Sequence, residues 1–455
     1  MHLLPRIRAA SSVLLLPLLS VQPLSGQSIE ELALKEVEGR TPALGLGLIH
    51  QGELDFFETW GVADRSSEAP FAAESLVPAP WLSPVLLATL VRALDARGQL
   101  DADQPIGRLL PSLPDAVRGV TLSDLLGHAA GLDDAPRREG RSWDEELTAL
   151  PSNAVLGEPG QFYSTSRYSY PLVLHVVEQA LEMPFADAVE TALFGPLGMV
   201  NSTFEPPTPS SVVQGYDWVG GESGIAPVPA EEWDDTGLPV AYSTPAEILQ
   251  FMAALGSGTL PGMDPWANAP RGLVPLHGGR SFVDGFWAAA EADPPARYSL
   301  TWQGQGHWAR LRIYPDTRTV YLVLGTGMRP VPMLAEVDRR VATGVGDVEG
   351  SLTVPGEPRV TVTGSDAPNL PAIVDPSPWA GRYRNGELLV VLNLRDGRLH
   401  YFDGREEFPL VQRDDGRWHL DREGFSAPPI TLFETADGRY AYFMEKVYVR
   451  EAERD

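Results

Sequence analysis

The chain has 455 residues, a formal net charge of −26 at pH 7 and no cysteine. The acidic charge argues against nucleic acid and anionic membranes as partners, because their phosphates would be repelled. The lack of cysteine excludes disulfides, a thiol nucleophile, cysteine-bound metals and a lipid-modified cysteine. The eight histidines show no HxH or HExxH spacing, so we expect neither a metal nor another cofactor.

Residues 1–26 have the layout of a secretory signal peptide. Two arginines precede an apolar run from about Ala9 to Val21, and small residues offer a cleavage site near Gly26. The run is too short to span a membrane, and Pro17 interrupts it. We therefore expect a periplasmic or secreted protein without a membrane anchor.

The next stretch, residues 30–62, predicts a helix and then a β-hairpin. Two strand-like runs meet at Gln51-Gly52, a residue pair typical of two-residue hairpin turns. The apolar stretch that begins near Ser83 predicts a central helix buried on all sides, the most buried element of the fold. Ser83 and Pro84 fit the N-cap and the first helical position.

Further elements follow from capping residues and from the spacing of apolar residues. Thr121 is a candidate N-cap, and residues 168–198 contain two more helical stretches. Ser243 or Thr244 could cap an amphipathic helix. Residues 307–327 predict a strand, a Pro-Asp-Thr-Arg turn and a second strand.

The composition changes after residue 343. Residues 344–377 are rich in Gly, Pro, Ser, Asp and Val, which predicts a linker. Residues 378–455 contain short strand-like runs separated by five Asn-Gly or Asp-Gly pairs, which predict a small all-β barrel. With residues 27–343 as the main domain, the chain has a signal segment, a domain, a linker and a barrel.

Six segments within residues 30–345 together resemble the serine β-lactamase and penicillin-binding-protein family, in its class C and D-Ala-D-Ala-peptidase-like branch. In chain order they are HQGELDFFETWGVADRSSEAPFAAESL, RGQLDADQPIGRLLPSLP, VTLSDLLGHAAGL, EPGQFYSTSRYSY, FGPLGMVNSTF and STPAEI. The resemblance implies an α+β, β-lactamase/transpeptidase-like fold. Its antiparallel sheet, built from the N-terminal hairpin, the 307–327 hairpin and one more strand, is flanked by helices, with a helical subdomain over residues 100–260. The C-terminal part is similar to the lipocalin-like barrel of some members.

The family's first motif is Ser-x-x-Lys at the start of the central helix. There the lysine lies on the same helix face as the serine and helps to remove its proton. Counted back from Gly98, these two positions are Trp81 and Pro84, which offer neither a nucleophilic atom nor an amine. Ser83 as a displaced nucleophile is the alternative to Ser83 as a helix cap.

The other two motifs also differ from the family pattern. The positions of Tyr-x-Asn are occupied by Thr165, Ser166 and Arg167. A threonine hydroxyl is too weak an acid to replace a phenol, although Tyr163 could do so after a shift in register. The third motif, Lys-Thr-Gly or His-x-Gly, matches best at Trp302-Gln303-Gly304, so that Trp302 and Gly304 take its outer positions, and His307 offers a rival alignment.

Three changed motifs predict an exported, non-catalytic member of the family. It would bind an unknown small molecule, a cell-wall peptide or a protein. Trp81, Trp302 and Arg167 could wall a cleft for an apolar or planar ligand that carries a carboxylate, or the two indoles could simply fill that cleft. The remaining cleft candidates are Ser83, Tyr163, Thr165 and His307. The alternative is an active serine hydrolase of the β-lactamase, peptidase or esterase type with a relocated nucleophile.

Overall fold

The computed structural model describes most of the chain outside the N-terminal segment. The described residues are 28–134, 141–148, 150, 155–220, 224–229, 237–260, 280–283, 285–289, 297–314, 317–345, 352–353, 359–360, 373–413, 416–421, 429–435 and 438–451. The predicted signal segment and most of the predicted linker lie outside these residues.

The first domain is built from strands β1 to β12. They are β1 (Ala43–His50), β2 (Glu53–Asp64), β3 (Ala69–Pro70), β4 (Val77–Pro78), β5 (Tyr216–Gly220), β6 (Gly224–Pro227), β7 (Tyr242–Ser243), β8 (Arg280–Val283), β9 (Phe286–Ala289), β10 (Arg297–Gly304), β11 (His307–Tyr314) and β12 (Thr319–Thr326). Eight of them form one antiparallel sheet in the order β3-β2-β1-β12-β11-β10-β9-β8. The expected hairpins are both part of this sheet, which is wider than the sequence indicated.

Helices cover both faces of the sheet, as predicted. They are α1 (Ile29–Val37), α2 (Leu82–Ala96), α3 (Leu122–Leu126), α4 (Trp143–Thr148), α5 (Ser169–Leu181), α6 (Phe185–Val189), α7 (Gly195–Leu197), α8 (Pro245–Gly256) and α9 (Val331–Val345). Helices α1 and α9 pack on one face around Trp308 and Tyr321, and the larger core around α2 lies on the other. In α2, 11 of the 15 residues are buried, so the predicted central helix is present.

Local signals in the sequence correspond closely to the observed turns and caps. Gln51 and Gly52 have φ values of 55° and 85°, as a two-residue turn with two left-handed positions requires. Thr121 caps α3 by accepting a hydrogen bond from the Asp124 main-chain N–H, and Thr244 caps α8 in the same way. No helix in the described part of the chain is long and apolar enough to cross a membrane.

The C-terminal domain is a nearly closed antiparallel barrel. After the short strands β13 (Leu352–Thr353) and β14 (Arg359–Val360), its strands are β15 (Gly381–Asn385), β16 (Leu388–Arg395), β17 (Arg398–Phe402), β18 (Glu407–Gln412), β19 (Trp418–Leu420), β20 (Thr431–Thr435), β21 (Gly438–Phe443) and β22 (Lys446–Arg450). They are ordered β19-β18-β17-β16-β15-β22-β21-β20. Trp418 and Ile430 exchange two main-chain hydrogen bonds of 2.8 Å, which join the two ends of the sheet.

Candidate functional site

The start of helix α2 differs from the capped start predicted for it. The helix begins at Leu82, so Trp81 is the N-cap residue and makes no side-chain capping bond. Ser83 is already helical, and the predicted serine cap is wrong. Its hydroxyl donates to the Pro239 carbonyl (2.6 Å) and accepts from the Ala241 N–H (3.1 Å), because the pairing of β4 with β7 brings that backbone alongside.

Pro84 is accommodated at the third helical position without loss of a hydrogen bond. The first N–H groups of any helix have no partner within the helix, so a proline there removes nothing that the helix uses. Pro84 therefore continues α2, although it is not the first helical residue as predicted.

The indoles of Trp81 and Trp302 come together at one small cavity. Trp81 is 6% exposed, and Trp302 packs against the same core from β10. Both indoles line a cavity of about 10 Å³, about the space of one water molecule. Of the two possibilities left open by the sequence, a filled cleft fits the described residues better than a ligand-sized one.

The two candidate positions for the third motif lie at the same cavity. Gly304 pairs with His307 across the β10–β11 hairpin, and both Trp302 and His307 line the cavity. A Cβ atom added at Gly304 would lie 2.8 Å from the Trp302 indole, so glycine lets that ring fold across the strand.

His307 is held by main-chain carbonyl groups rather than poised for proton transfer. Its Nδ1 lies 2.9 Å from the Gln305 oxygen and its Nε2 lies 3.0 Å from the Val213 oxygen. Burial lowers the pKa of the imidazole. A neutral imidazole carries a single N–H and donates to one of these two carbonyls at a time. The ring lies between the hairpin and Val213, which makes His307 a positioning residue of the fold.

Residues 162–167, which include the positions predicted for the second motif, face the barrel. Tyr163 is buried in a cluster with Phe162, Tyr440, Tyr442 and Val447, and burial raises the pKa of its phenol. A phenol in such an apolar cluster is a poor proton relay, because the phenolate would be strongly destabilised there. Tyr163 therefore packs the two domains together.

The hydroxyl groups of this segment are bonded to the main chain. Ser164 Oγ accepts from the Val447 N–H (3.0 Å), and Ser166 Oγ donates to the Asp133 carbonyl (2.6 Å). The Thr165 N–H and hydroxyl both donate to the Glu445 carbonyl, at 2.9 and 3.1 Å. The turn between β21 and β22 therefore lies directly on this segment.

A buried carboxylate, Asp134, joins the segment to the barrel. Its Oδ2 lies 2.7 Å from Lys446 Nζ, and its Oδ1 accepts the Arg167 N–H at 2.8 Å and lies 3.5 Å from Arg167 Nε. Lys446 Nζ also donates to the Thr165 carbonyl and hydroxyl, at 3.3 and 3.2 Å. Arg167 thus partners Asp134 beside the barrel and is not among the described residues that line the cavity.

Sequence reasoning missed Lys446 and Asp134, although a simple count points to the lysine. The chain has only two lysines, Lys35 and Lys446, against 35 basic residues of both kinds. Any lysine that served as a base would have to be one of these. Within the described residues, no group of three histidine or acidic side chains could hold a metal ion.

Comparison with known proteins gives a consistent result. The family model described as Beta-lactamase matches residues 27–345. Penicillin-binding protein 4* of Bacillus subtilis (strain 168) is 27% identical over 197 residues, which cover 40% of this chain and 43% of that protein. Esterase EstB of Burkholderia gladioli is 29% identical over 191 residues, 36% of this chain and 47% of that protein. The chain spans about half the length of the curated relatives it matches.

Solved structures share the architecture at low sequence identity. The crystal structure of SurE has a TM-score of 0.74 and 20% identity, and the match covers 93% of this chain and 97% of that one. The class C beta lactamase from Rhodobacter sphaeroides has a TM-score of 0.53 and 21% identity over 68% of this chain and 97% of that one. At such identities the likeness establishes the fold alone.

Proposed function

The chain belongs to the Beta-lactamase family, and from that premise we propose that it is a non-catalytic member that acts by binding a peptide or a partner protein. We also propose that it is exported, to the periplasm or outside the cell, because its first 26 residues have the layout of a signal peptide. Acyl transfer by a serine needs a hydroxyl, a base beside it and donors for the oxyanion.

The observation that carries the proposal is the surroundings of the two lysines. Lys446 Nζ contacts Asp134 and Thr165, and an ammonium group paired with a carboxylate has no lone pair to accept a proton. Lys35 is exposed on helix α1, which packs on the opposite side of the sheet from α2. The positions that correspond to the family serine and lysine hold an indole and a pyrrolidine ring.

The size of the cavity favours a peptide or a protein over a small molecule as the partner. Pockets for small ligands usually enclose about 300–1,000 Å³, whereas the cavity beside Trp81 and Trp302 measures about 10 Å³. Among the described residues, this cavity therefore favours a partner that binds the outer surface over one that enters the cleft.

Covalent labelling tests the absence of catalysis. The full-length mature chain is incubated with a fluorophosphonate and, separately, with a penicillin, and its intact mass is then measured. We expect no mass increase from either reagent, while circular dichroism shows a folded protein and a penicillin-binding protein labels in parallel. An adduct with either reagent would contradict the proposal.

A second candidate function, an active hydrolase with a relocated nucleophile, is favoured by one contact. Thr165 Oγ1 lies 3.2 Å from Lys446 Nζ, so one hydroxyl and one amine do meet in this segment. In that case the adduct would map to Thr165 and would disappear in both Thr165→Val and Lys446→Met. An adduct that disappears in Ser83→Ala instead would identify the serine at the start of α2 as the nucleophile.

A further inference from the structure

The contact between the barrel and the first domain combines an apolar centre with a polar rim. In the centre, the Phe162 ring lies 5.5 Å from that of Tyr440 and 6.4 Å from that of Phe433. Tyr163, Tyr442 and Val447 belong to the same buried cluster. The barrel therefore packs on Phe162 and Tyr163 of the first domain, which are both buried.

The polar rim joins residues 164–165 to the β21–β22 turn through one main-chain hydrogen bond and several that involve side chains. The Thr165 N–H donates to the Glu445 carbonyl, and the Val447 N–H donates to Ser164 Oγ. The Asn385 side chain of β15 accepts a hydrogen bond from the Asp134 N–H through Oδ1 (2.6 Å). Its Nδ2 donates one to the Val447 carbonyl (2.9 Å). The ion pair between Lys446 and Asp134 closes this rim.

The turn that makes these contacts has an unfavourable local conformation. Met444 and Glu445 have φ values of 50° and 62°, the left-handed region that favours glycine and asparagine. The β16–β17 turn in the same barrel has comparable φ values of 49° and 75°, but its residues are Asp396 and Gly397, which suit them. The Met-Glu turn thus depends on its contacts with the first domain, and such strain points to a functional segment.

We propose that the β21–β22 hairpin is a built-in cover for residues 162–167, held closed by the Lys446–Asp134 ion pair. Release of the hairpin would uncover the Thr165 N–H, the Ser164 hydroxyl and the Asp134 carboxylate, which are groups able to bind another extended chain. The device is independent of the proposed function, since the same contacts would cover the segment in a catalytic or a non-catalytic protein.

Amine acylation of the intact protein tests whether the ion pair is closed. The chain offers its own reference, because Lys35 is exposed and Lys446 is the only other lysine. We expect Lys446 to react at least about tenfold more slowly than Lys35 with a hydroxysuccinimide ester, as groups protected by local structure do. In Asp134→Asn, which keeps an acceptor for the Arg167 N–H, the rate at Lys446 should approach that at Lys35. Equal rates at the two lysines in the unmodified protein would overturn the proposal.

Hydrogen exchange tests whether the ion pair holds the cover. In Lys446→Met the Thr165 and Val447 amides should exchange at least about tenfold faster, while amides of β16 and β17 keep their rates. Lys35→Met is the matched control and should leave all of them unchanged. The proposal fails if Lys446→Met behaves like Lys35→Met, or if β16 and β17 accelerate together with Val447, because the hairpin would then not move separately from the barrel. Neither readout depends on activity, so failure here is distinct from failure of the proposed function.

Discussion

Replacement of Trp81 by alanine tests whether its indole fills the cleft or walls it. The side chain is 6% exposed, and the cavity that it lines measures about 10 Å³. The neighbouring side chains, among them Phe71 and Trp302, belong to the same large core. Truncation of a buried tryptophan in such a core costs about 3–5 kcal/mol, since the surrounding side chains collapse only partly into the hole.

The assay is denaturant unfolding at pH 7, followed by circular dichroism. Trp218→Ala is the matched control: Trp218 is 46% exposed and stacks on Arg40, whose guanidinium carbon lies 4.5 Å from the ring. An exposed stack of this kind contributes about 0.5–1 kcal/mol. Added indole should also stabilise Trp81→Ala by refilling the hole, by about 2.7 kcal/mol at a hundred times its Kd, and should leave Trp218→Ala unchanged.

Two results would refute this reasoning. A loss of less than about 1 kcal/mol in Trp81→Ala, no larger than in Trp218→Ala, would mean that the indole lines an open cleft and leaves no cavity when removed. A loss of about 3–5 kcal/mol in Trp81→Ala that added indole does not reduce would mean that the neighbouring side chains close the hole on truncation. In the first case a small-molecule ligand would again be a candidate partner.

Two further predictions concern ionisable side chains that are buried in the fold. Burial lowers the pKa of His128 from 6.5 to about 3, so between these values the unfolded chain binds a proton that the folded chain does not, and the free energy of unfolding falls as the pH decreases from 6.5. His128→Asn, which suits the φ of 50° at this position, should remove that contribution. Between pH 7 and pH 5, the free energy of unfolding should therefore fall by about 2 kcal/mol less in the variant than in the unmodified protein, as denaturant titrations at the two pH values would show. An equal fall in both proteins would contradict the assignment. Asp338 pairs with both Arg310 and Arg312 beneath α9. Asp338→Ala should destabilise the fold by about 3–5 kcal/mol, because two buried guanidinium groups lose their carboxylate. Glu336→Ala, which breaks a more exposed pair with Arg339 in the same helix, should cost no more than about 1 kcal/mol, and similar values for the two variants would refute the buried-pair argument.

The sequence predicted the elements whose causes are local. The turn at Gln51-Gly52 depends on two residues that tolerate positive φ, and the caps at Thr121 and Thr244 need only an N–H group three residues ahead. The buried helix α2 follows from an apolar run that leaves no polar face. The wrong cap at Ser83 arose because a distant main chain competes for the hydroxyl. Pro239 and Ala241 follow Ser83 by more than 150 residues, and no local pattern announces them.

In the candidate site, too, some features follow from the local sequence and others depend on contacts between distant residues. Residue types alone showed that Trp81 and Pro84 bring neither a hydroxyl nor an amine to the start of α2. The burial of Tyr163 and the pairing of Asp134 depend on the C-terminal barrel, and the Thr165 and Lys446 that meet there are separated by 281 positions. Periodicity and turn residues report on neighbours along the chain, whereas the register of one domain on another is set by shape and charge across their surfaces. The sequence by itself therefore determined the family and the fold class, and only the tertiary structure decided that the barrel packs on residues 162–167.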